Sequence, residues 1–313
     1  MKKFIVVIAI GLSIIFVLDL VFGKILEHFY FTQSSGLQYQ TTYAMQETEA
    51  DVLVFGSSRA CHQYDPRILE DSLNMTVYNV GREAQFMLYQ TALLRAVLKR
   101  HTPKFIILDF PDTFYTSEYD YDRLSLLYPY YKKHPEIRNI IDLKSPFEKV
   151  KMLSWTYPYN SIITTIAVGN LEFNKTREVN INYAGYLPLH GIFDKPLDSV
   201  PAPQTYEFDQ NKIDLFKEFI RLTKEKNIPL VVTYSPIYYL YDKDPSMELC
   251  RQICIENEIP LLNFTRDTEF LDQRDYFDDA THLNDSGVTI FTKKLAALLK
   301  QKGLPKVTTS GTE

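Results

Sequence analysis

The apolar residues of this chain fall in short blocks separated by longer amphipathic stretches. Val52-Leu53-Val54-Phe55 is closed by Gly56, the pattern of a strand buried on both faces in a parallel sheet. Thr76–Val80, closed by Gly81, repeats it, as do Phe105–Asp109, Pro229–Tyr234 and Ile259–Asn263. Helical spacing fills the gaps. Asp65-Pro66 reads as the cap and first position of a helix over Arg67–Leu73. Gln85–Arg100 turns one face of Met87, Leu88, Leu94, Val97 and Leu98 inward, and Asn211–Lys226 does so with Ile213, Phe216, Phe219, Ile220 and Leu222. Asp244-Pro245 opens another helix through Glu256, and a last helix runs to about Leu299. The order is β-α-β-α-β, then β and α again, which predicts an α/β fold with a parallel sheet and right-handed crossovers.

The alternation stops between about residues 110 and 205. That stretch is rich in proline and carries Tyr119, Tyr121, Tyr128, Tyr130, Tyr131, Trp155, Tyr157 and Tyr159. It is too aromatic for a disordered linker. We expect a large insertion packed over the sheet, whose aromatics form either its own core or a sugar- or acyl-binding surface.

The N-terminus has its own pattern. Met1-Lys2-Lys3 precedes Phe4–Phe22, 19 residues interrupted only by Gly11, Ser13 and Asp19. As a helix this run is about 28 Å long, close to the ~30 Å of a bilayer's hydrocarbon. Lys2 and Lys3 favour a cytoplasmic N-terminus and an exported remainder. A cleaved signal peptide is the rival reading, but Leu18–Phe22 offers no small-x-small site. The expected organisation is a transmembrane anchor over 1–23, a stalk over 24–50, an α/β domain over 51–303 and a frayed tail over 304–313. The protein would then be a single-pass protein of the cell membrane, its membrane contact through residues 4–22 and its domain on the extracytoplasmic side.

Composition narrows the function classes. With 45% hydrophobic and 23% charged residues, the chain of 313 has ordinary globular make-up. A formal net charge of −5, with no basic cluster interleaved with aromatics, argues against a nucleic-acid partner. The three cysteines, Cys61, Cys250 and Cys254, read as buried packing residues, and no zinc spacing occurs. Nothing in the sequence calls for a metal or a cofactor.

Ser58 lies at the carboxyl end of the first strand, where open α/β sheets hold their ligands. A polar turn would look the same. A serine hydroxyl becomes a nucleophile when a base removes its proton, usually a histidine held by a carboxylate. Of His28, His62, His101, His134, His190 and His282, only His282 has an acid three residues earlier, Asp279. The loop between the last strand and last helix carries that pair, so it can be aimed at the strand ends.

Gly56-Ser57-Ser58, Asn79-x-Gly81 and Asp279-x-x-His282-x-Asn284 together resemble the blocks of the SGNH (GDSL-like) hydrolase superfamily. The resemblance implies a three-layer parallel sheet of flavodoxin-like type, with Ser58 as nucleophile and Asp279 and His282 as acid and base. It implies the backbone N–H groups of Ser58 and Gly81 as oxyanion donors, with Arg59 and Asn284 as substrate contacts; for Arg59 a structural ion pair is the favoured reading. One block departs from the pattern: where the family supplies an asparagine after the third strand, this chain has Asp109-Phe110-Pro111-Asp112-Thr113. An ionised aspartate cannot donate to an oxyanion, so Thr113 or Arg59 would have to stand in. Gly56-x-Ser58-x-Ala60 also approximates the nucleophile elbow of α/β-hydrolases, but those proteins build several strands before the elbow.

The resemblance implies a serine esterase or O-acyltransferase acting on an ester, acetyl first, of a cell-envelope polysaccharide. An acylated glycan would be the substrate, and a multi-pass membrane acyltransferase a partner. A non-catalytic SGNH-like protein that binds glycan or assists such an acyltransferase, and a lipid esterase, remain alternatives.

Overall fold

A computed structural model describes residues 1–110, 113–171, 183–200, 207–241 and 244–304. Its strands are β1 (Val52–Phe55), β2 (Val77–Asn79), β3 (Phe105–Asp109), β4 (Asp198–Val200), β5 (Leu230–Tyr234), β6 (Tyr239–Tyr241) and β7 (Leu261–Asn263). Five form a parallel sheet in the order β2-β1-β3-β5-β7, and β4 and β6 form a separate parallel pair. All five predicted strands are therefore present, and the small pair is an element the sequence pattern did not announce.

The chain also forms helices α1 (Lys2–Phe31), α2 (Gly36–Gln46), α3 (Ser58–Gln63), α4 (Pro66–Leu73) and α5 (Met87–Leu98). Pro66 occupies the first position of α4, and Asp65 Oδ1 accepts the Arg67 N–H at 2.9 Å. Asp209 and Asp244 cap helices Gln210–Glu225 and Pro245–Glu256 in the same way.

Side chains alternate along each strand, so the sheet has two apolar faces. Val52, Val54, Phe105, Ile107 and Val231 share a buried cluster with Leu69 and Leu73 of α4 and Phe291, Leu295 and Leu299 of the closing helix Asp285–Gln301. Phe55 points the other way and meets Phe219 of helix Gln210–Glu225 edge to face, ring centroids 5.2 Å apart. Each such aromatic contributes about 1.5–3 kcal/mol by leaving water. Cys61, Cys250 and Cys254 are buried free thiols.

Two compact units emerge, cut at other places than the expected stalk and insertion boundaries. One comprises Met1–Tyr43 with Tyr121–Ile181; the other comprises Ala44–Asp120 with Asn182–Glu313 and contains the sheet. In the first unit, α1 runs unbroken into the first part of the expected stalk and ends at Phe31. Tyr30 is buried edge-on against Tyr130, whose hydroxyl lies 2.7 Å from Thr42 Oγ1. Residues 24–43 are thus packed, and Tyr128, Tyr130 and Tyr159 are buried in this unit. Lys2–Phe31 is long and apolar enough to cross a membrane. Residues 305–313 of the expected tail, and Pro111 and Asp112 of the third block, lie outside the described residues.

Candidate active site

β1 ends at Phe55 and the chain turns through Gly56 at φ 148°. A Cβ there would lie 2.7 Å from Ala60 Cβ and 2.8 Å from the Asp109 carbonyl oxygen, so only glycine fits the turn. Ser57 is the cap and Ser58 the first residue of α3. An N–H in a helix's first turn has no intrahelical acceptor, and none among the described residues holds that of Ser58.

The loop carrying Asp279 and His282 is tied down on several sides. Phe277 and Leu283 pair across its base, and the Asp278 N–H donates to the His282 carbonyl at 2.9 Å. Gln63, at the end of α3, donates its amide to the carbonyls of Thr281 and Pro236, and the Tyr238 N–H donates to the Ala280 carbonyl. These bonds bring distant parts of the chain together. His282 Nε2 lies 2.8 Å from Ser58 Oγ, and His282 Nδ1 lies 2.8 Å from Asp279 Oδ2.

Hydrogen-bond chemistry assigns the protons. A carboxylate only accepts, so His282 Nδ1 carries the proton toward Asp279, and the Nε2 lone pair faces the serine hydroxyl. Asp279 Oδ1 also accepts from the Thr281 and His282 N–H groups and the Thr281 hydroxyl. Partial burial opposes ionisation of Asp279, but the His282 and Thr281 hydrogen bonds outweigh it and hold its carboxyl well below the usual range.

His62, one helical turn after Ser58, has no role in the sequence-based reading. It is buried, with Nδ1 2.7 Å from the Leu187 carbonyl and Nε2 2.9 Å from Glu83 Oε1. Both neighbours are acceptors, so both ring nitrogens must donate and the ring is an imidazolium. Burial opposes that charge, yet hydrogen bonding with Cys61 and Glu83 and the Leu187 carbonyl raises its pKa to about 10. Cys61, His62 and Glu83 put a thiol, an imidazole and a carboxylate within 4.8 Å of one another. The spacing from Ser58 on a short helix was the available signal for His62; Glu83, Gln63 and Thr281 had none.

Ser58, Arg59, His62, Glu83, Thr113 and His282 line one cavity of about 500 Å³. A second, of about 620 Å³, shares Tyr234, Asp244, Met247 and Thr265 with it and adds Arg251 and Arg266.

Two expected roles change, and Arg59 makes the ion pair expected of it. The Gly81 N–H donates to Asn79 Oδ1 at 3.0 Å and is therefore not open to a substrate oxyanion. Asn284 is no substrate contact: it is the buried cap of the closing helix, its Oδ1 accepting from Ser286 and Gly287 and its Nδ2 donating to Gly191 and Asp275. Arg59 borders the cavity, but its Nη2 donates to the Phe110 carbonyl at 2.7 Å and its Nε lies 3.5 Å from Asp109 Oδ2. Asp109 itself is fully buried, accepting from the Tyr64 hydroxyl and the Ser235 N–H. The aspartate in the third block thus serves the core and Arg59.

No known protein family matches the chain, and no curated protein matches it.

Proposed function

We propose that the protein is a membrane-anchored acyl-transfer enzyme of SGNH type, a serine esterase or O-acyltransferase acting on an ester of a cell-envelope polysaccharide. The observation that carries this reading is the continuous hydrogen-bonded line Ser58 Oγ–His282–Asp279, open to a cavity at the carboxyl end of β1. Apolar packing on both sheet faces supports the three-layer arrangement that goes with it.

In this mechanism His282 Nε2 takes the Ser58 proton as Oγ attacks the acyl carbonyl carbon. The tetrahedral intermediate collapses, the ester's alkoxy oxygen leaves with that proton, and the acyl group stays on Ser58. Water or a sugar hydroxyl then gives its proton to His282 and attacks the acyl-serine, releasing acid or a new ester. Asp279 fixes the imidazole and stabilises its charged form. The Ser58 N–H holds the oxyanion together with the Thr113 hydroxyl, which stands where neither Gly81 nor Asp109 donates. The neighbouring cavity, with Arg251 and Arg266, accommodates the rest of a glycan chain. Phe4–Phe22 anchors the domain, and Lys2 and Lys3 put it on the extracytoplasmic side.

A second reading, a glycan-binding or acyltransferase-accessory protein, is favoured by the engaged Gly81 N–H and the buried Asp109. A fluorophosphonate probe on the full-length protein separates them. Labelling that disappears in Ser58→Ala supports the enzyme; absence of labelling in the parent protein rejects it.

A further inference from the structure

The first compact unit presents apolar side chains beside the point where α1 stops being bare. In α1, Phe4–Leu18 is exposed on all its large apolar residues, and the first fixed contact is at Asp19. Its carboxylate accepts from the Ser154 hydroxyl, the Trp155 and Thr156 N–H groups and the Thr156 hydroxyl. One turn further on, Gly23 lies so close to Trp155 that a Cβ would fall 2.4 Å from its backbone.

Length gives this clamp its meaning. The fifteen residues Phe4–Leu18 rise only about 22 Å, whereas a bilayer's hydrocarbon is ~30 Å thick. The shortfall of roughly 8 Å is about five residues, which carries the hydrocarbon edge past Asp19 to near Gly23. Tilting the helix would bring the clamp deeper. Residues 154–156 therefore sit at the level of the lipid interface, and Asp19 is tolerated there because protein donors satisfy it.

The segment leading into the clamp suits that depth. Phe147, Val150 and Leu153 recur every third residue around the short helix Glu148–Lys151 and are 65%, 64% and 74% exposed. Glu148, on the opposite side, is buried against Tyr128, Ser145 and Lys151. Two ammonium groups lie over the Trp155 ring, Lys132 Nζ at 3.6 Å and Lys24 Nζ at 4.3 Å from its centroid. Apolar residues below, a tryptophan at the boundary and lysines above are the composition of an interfacial element.

We propose that Phe147–Trp155 is a second membrane contact, its apolar triad entering the same leaflet through which α1 leaves the bilayer. This rests on the anchoring part of the reading above and is independent of the chemistry at Ser58. The occupant is the lipid itself, because the face is continuous with the membrane-crossing helix and bordered by lysines suited to phosphate headgroups.

Trp155 is the single tryptophan of the chain and serves as its own depth gauge. The full-length protein would be placed in nanodiscs whose lipids carry bromine either near the glycerol end of the acyl chain or near the bilayer centre. Trp155 emission should fall about twofold with the shallow label and less with the deep one, as expected of an interfacial tryptophan. Because α1 and its clamp already hold Trp155 near the interface, the deciding probe is Leu153→Trp in the Trp155→Phe background: quenching by the shallow label supports entry of the triad, and indifference to both labels overturns it. A control in the Trp155→Phe background, Phe16→Trp, reports on α1. If the residue-16 probe is quenched by the deep label while Trp155 is indifferent to both, the second contact is refuted and the face belongs to a protein partner. If neither is quenched, the anchor fails and this inference falls with it.

Discussion

The imidazole of His62 meets that of His282 edge to face, with ring centroids 5.5 Å apart and planes at 84°. His62 is itself gripped at both nitrogens, by Glu83 and by the Leu187 carbonyl. The imidazole that faces Ser58 therefore rests against a buried neighbour held at both of its nitrogens.

The first prediction concerns stability against pH. The His62 pKa is raised from its ordinary 6.5 to about 10, so the folded protein holds this proton more tightly than the unfolded chain does. Its contribution is complete below pH 6.5 and is lost as the pH rises through about 10. The slope is at most about 1.4 kcal/mol per pH unit for one proton. Chemical denaturation of the full-length protein across this window should show the decline. Glu83→Gln keeps an acceptor for Nε2 and removes the charge, so it should flatten the slope. A parent protein whose stability does not decline between pH 6.5 and about 10 would mean that His62 is neutral when folded, and a decline that persists in Glu83→Gln would mean that Glu83 is not what holds its proton.

In the proposed mechanism Asp279 orients the imidazole as well as supplying charge. Asp279→Asn leaves the loop's backbone bonds an oxygen acceptor but lets His282 adopt the wrong tautomer. The rate of Ser58 acylation should fall by about 10³–10⁴-fold, with little change in melting temperature because the side chain is half exposed. Stopped-flow or gel-based fluorophosphonate labelling measures it. A loss under tenfold would exclude a triad role.

Thr113 is tested through the transition state. Thr113→Val preserves shape and removes the hydroxyl of a residue that lines the cavity. If it donates to the oxyanion, kcat should drop by about 10²–10³-fold with KM nearly constant. Thr113→Ser should restore most of the rate. A selective rise in KM would assign Thr113 to ground-state binding.

Much of the sheet was legible because buried parallel strands write themselves as short apolar runs, and Val52–Phe55 and Phe105–Asp109 do so without interruption. The Asp65-Pro66 and Asp244-Pro245 helix starts were equally plain, since cap chemistry is local. Pairing of Ser58 with Asp279 and His282 came from motif order, and the hydrogen bonds of the loop are consistent with it. What escaped were features set by direction rather than residue type. The Gly81 N–H turns toward Asn79, and no pattern of letters shows which way a peptide points. Asn284, followed by Asp285-Ser286-Gly287 at the start of a helix, had the residue type of a cap, and that local reading outweighs the borrowed one. Residues 121–171 form helices of seven residues or fewer within the α1 unit, packed as Tyr130 is on Tyr30, so they leave no periodicity of their own.

The last prediction asks whether the departing third block can be repaired. Asparagine at 109 would supply the amide that the proposed SGNH-type reading calls for, but the site is fully buried, and Oδ1 is taken by Tyr64 and Ser235. The new Nδ2 would face the Arg59 guanidinium, now 3.5 Å from Oδ2, so a donor would meet a donor. Asp109→Asn should therefore gain no rate. It should lower stability by about 3 kcal/mol, the low end for breaking a buried ion pair, because Arg59 keeps some contact with solvent. Thermal unfolding together with probe labelling reads both effects. A faster, equally stable variant would mean that residue 109 does reach the oxyanion.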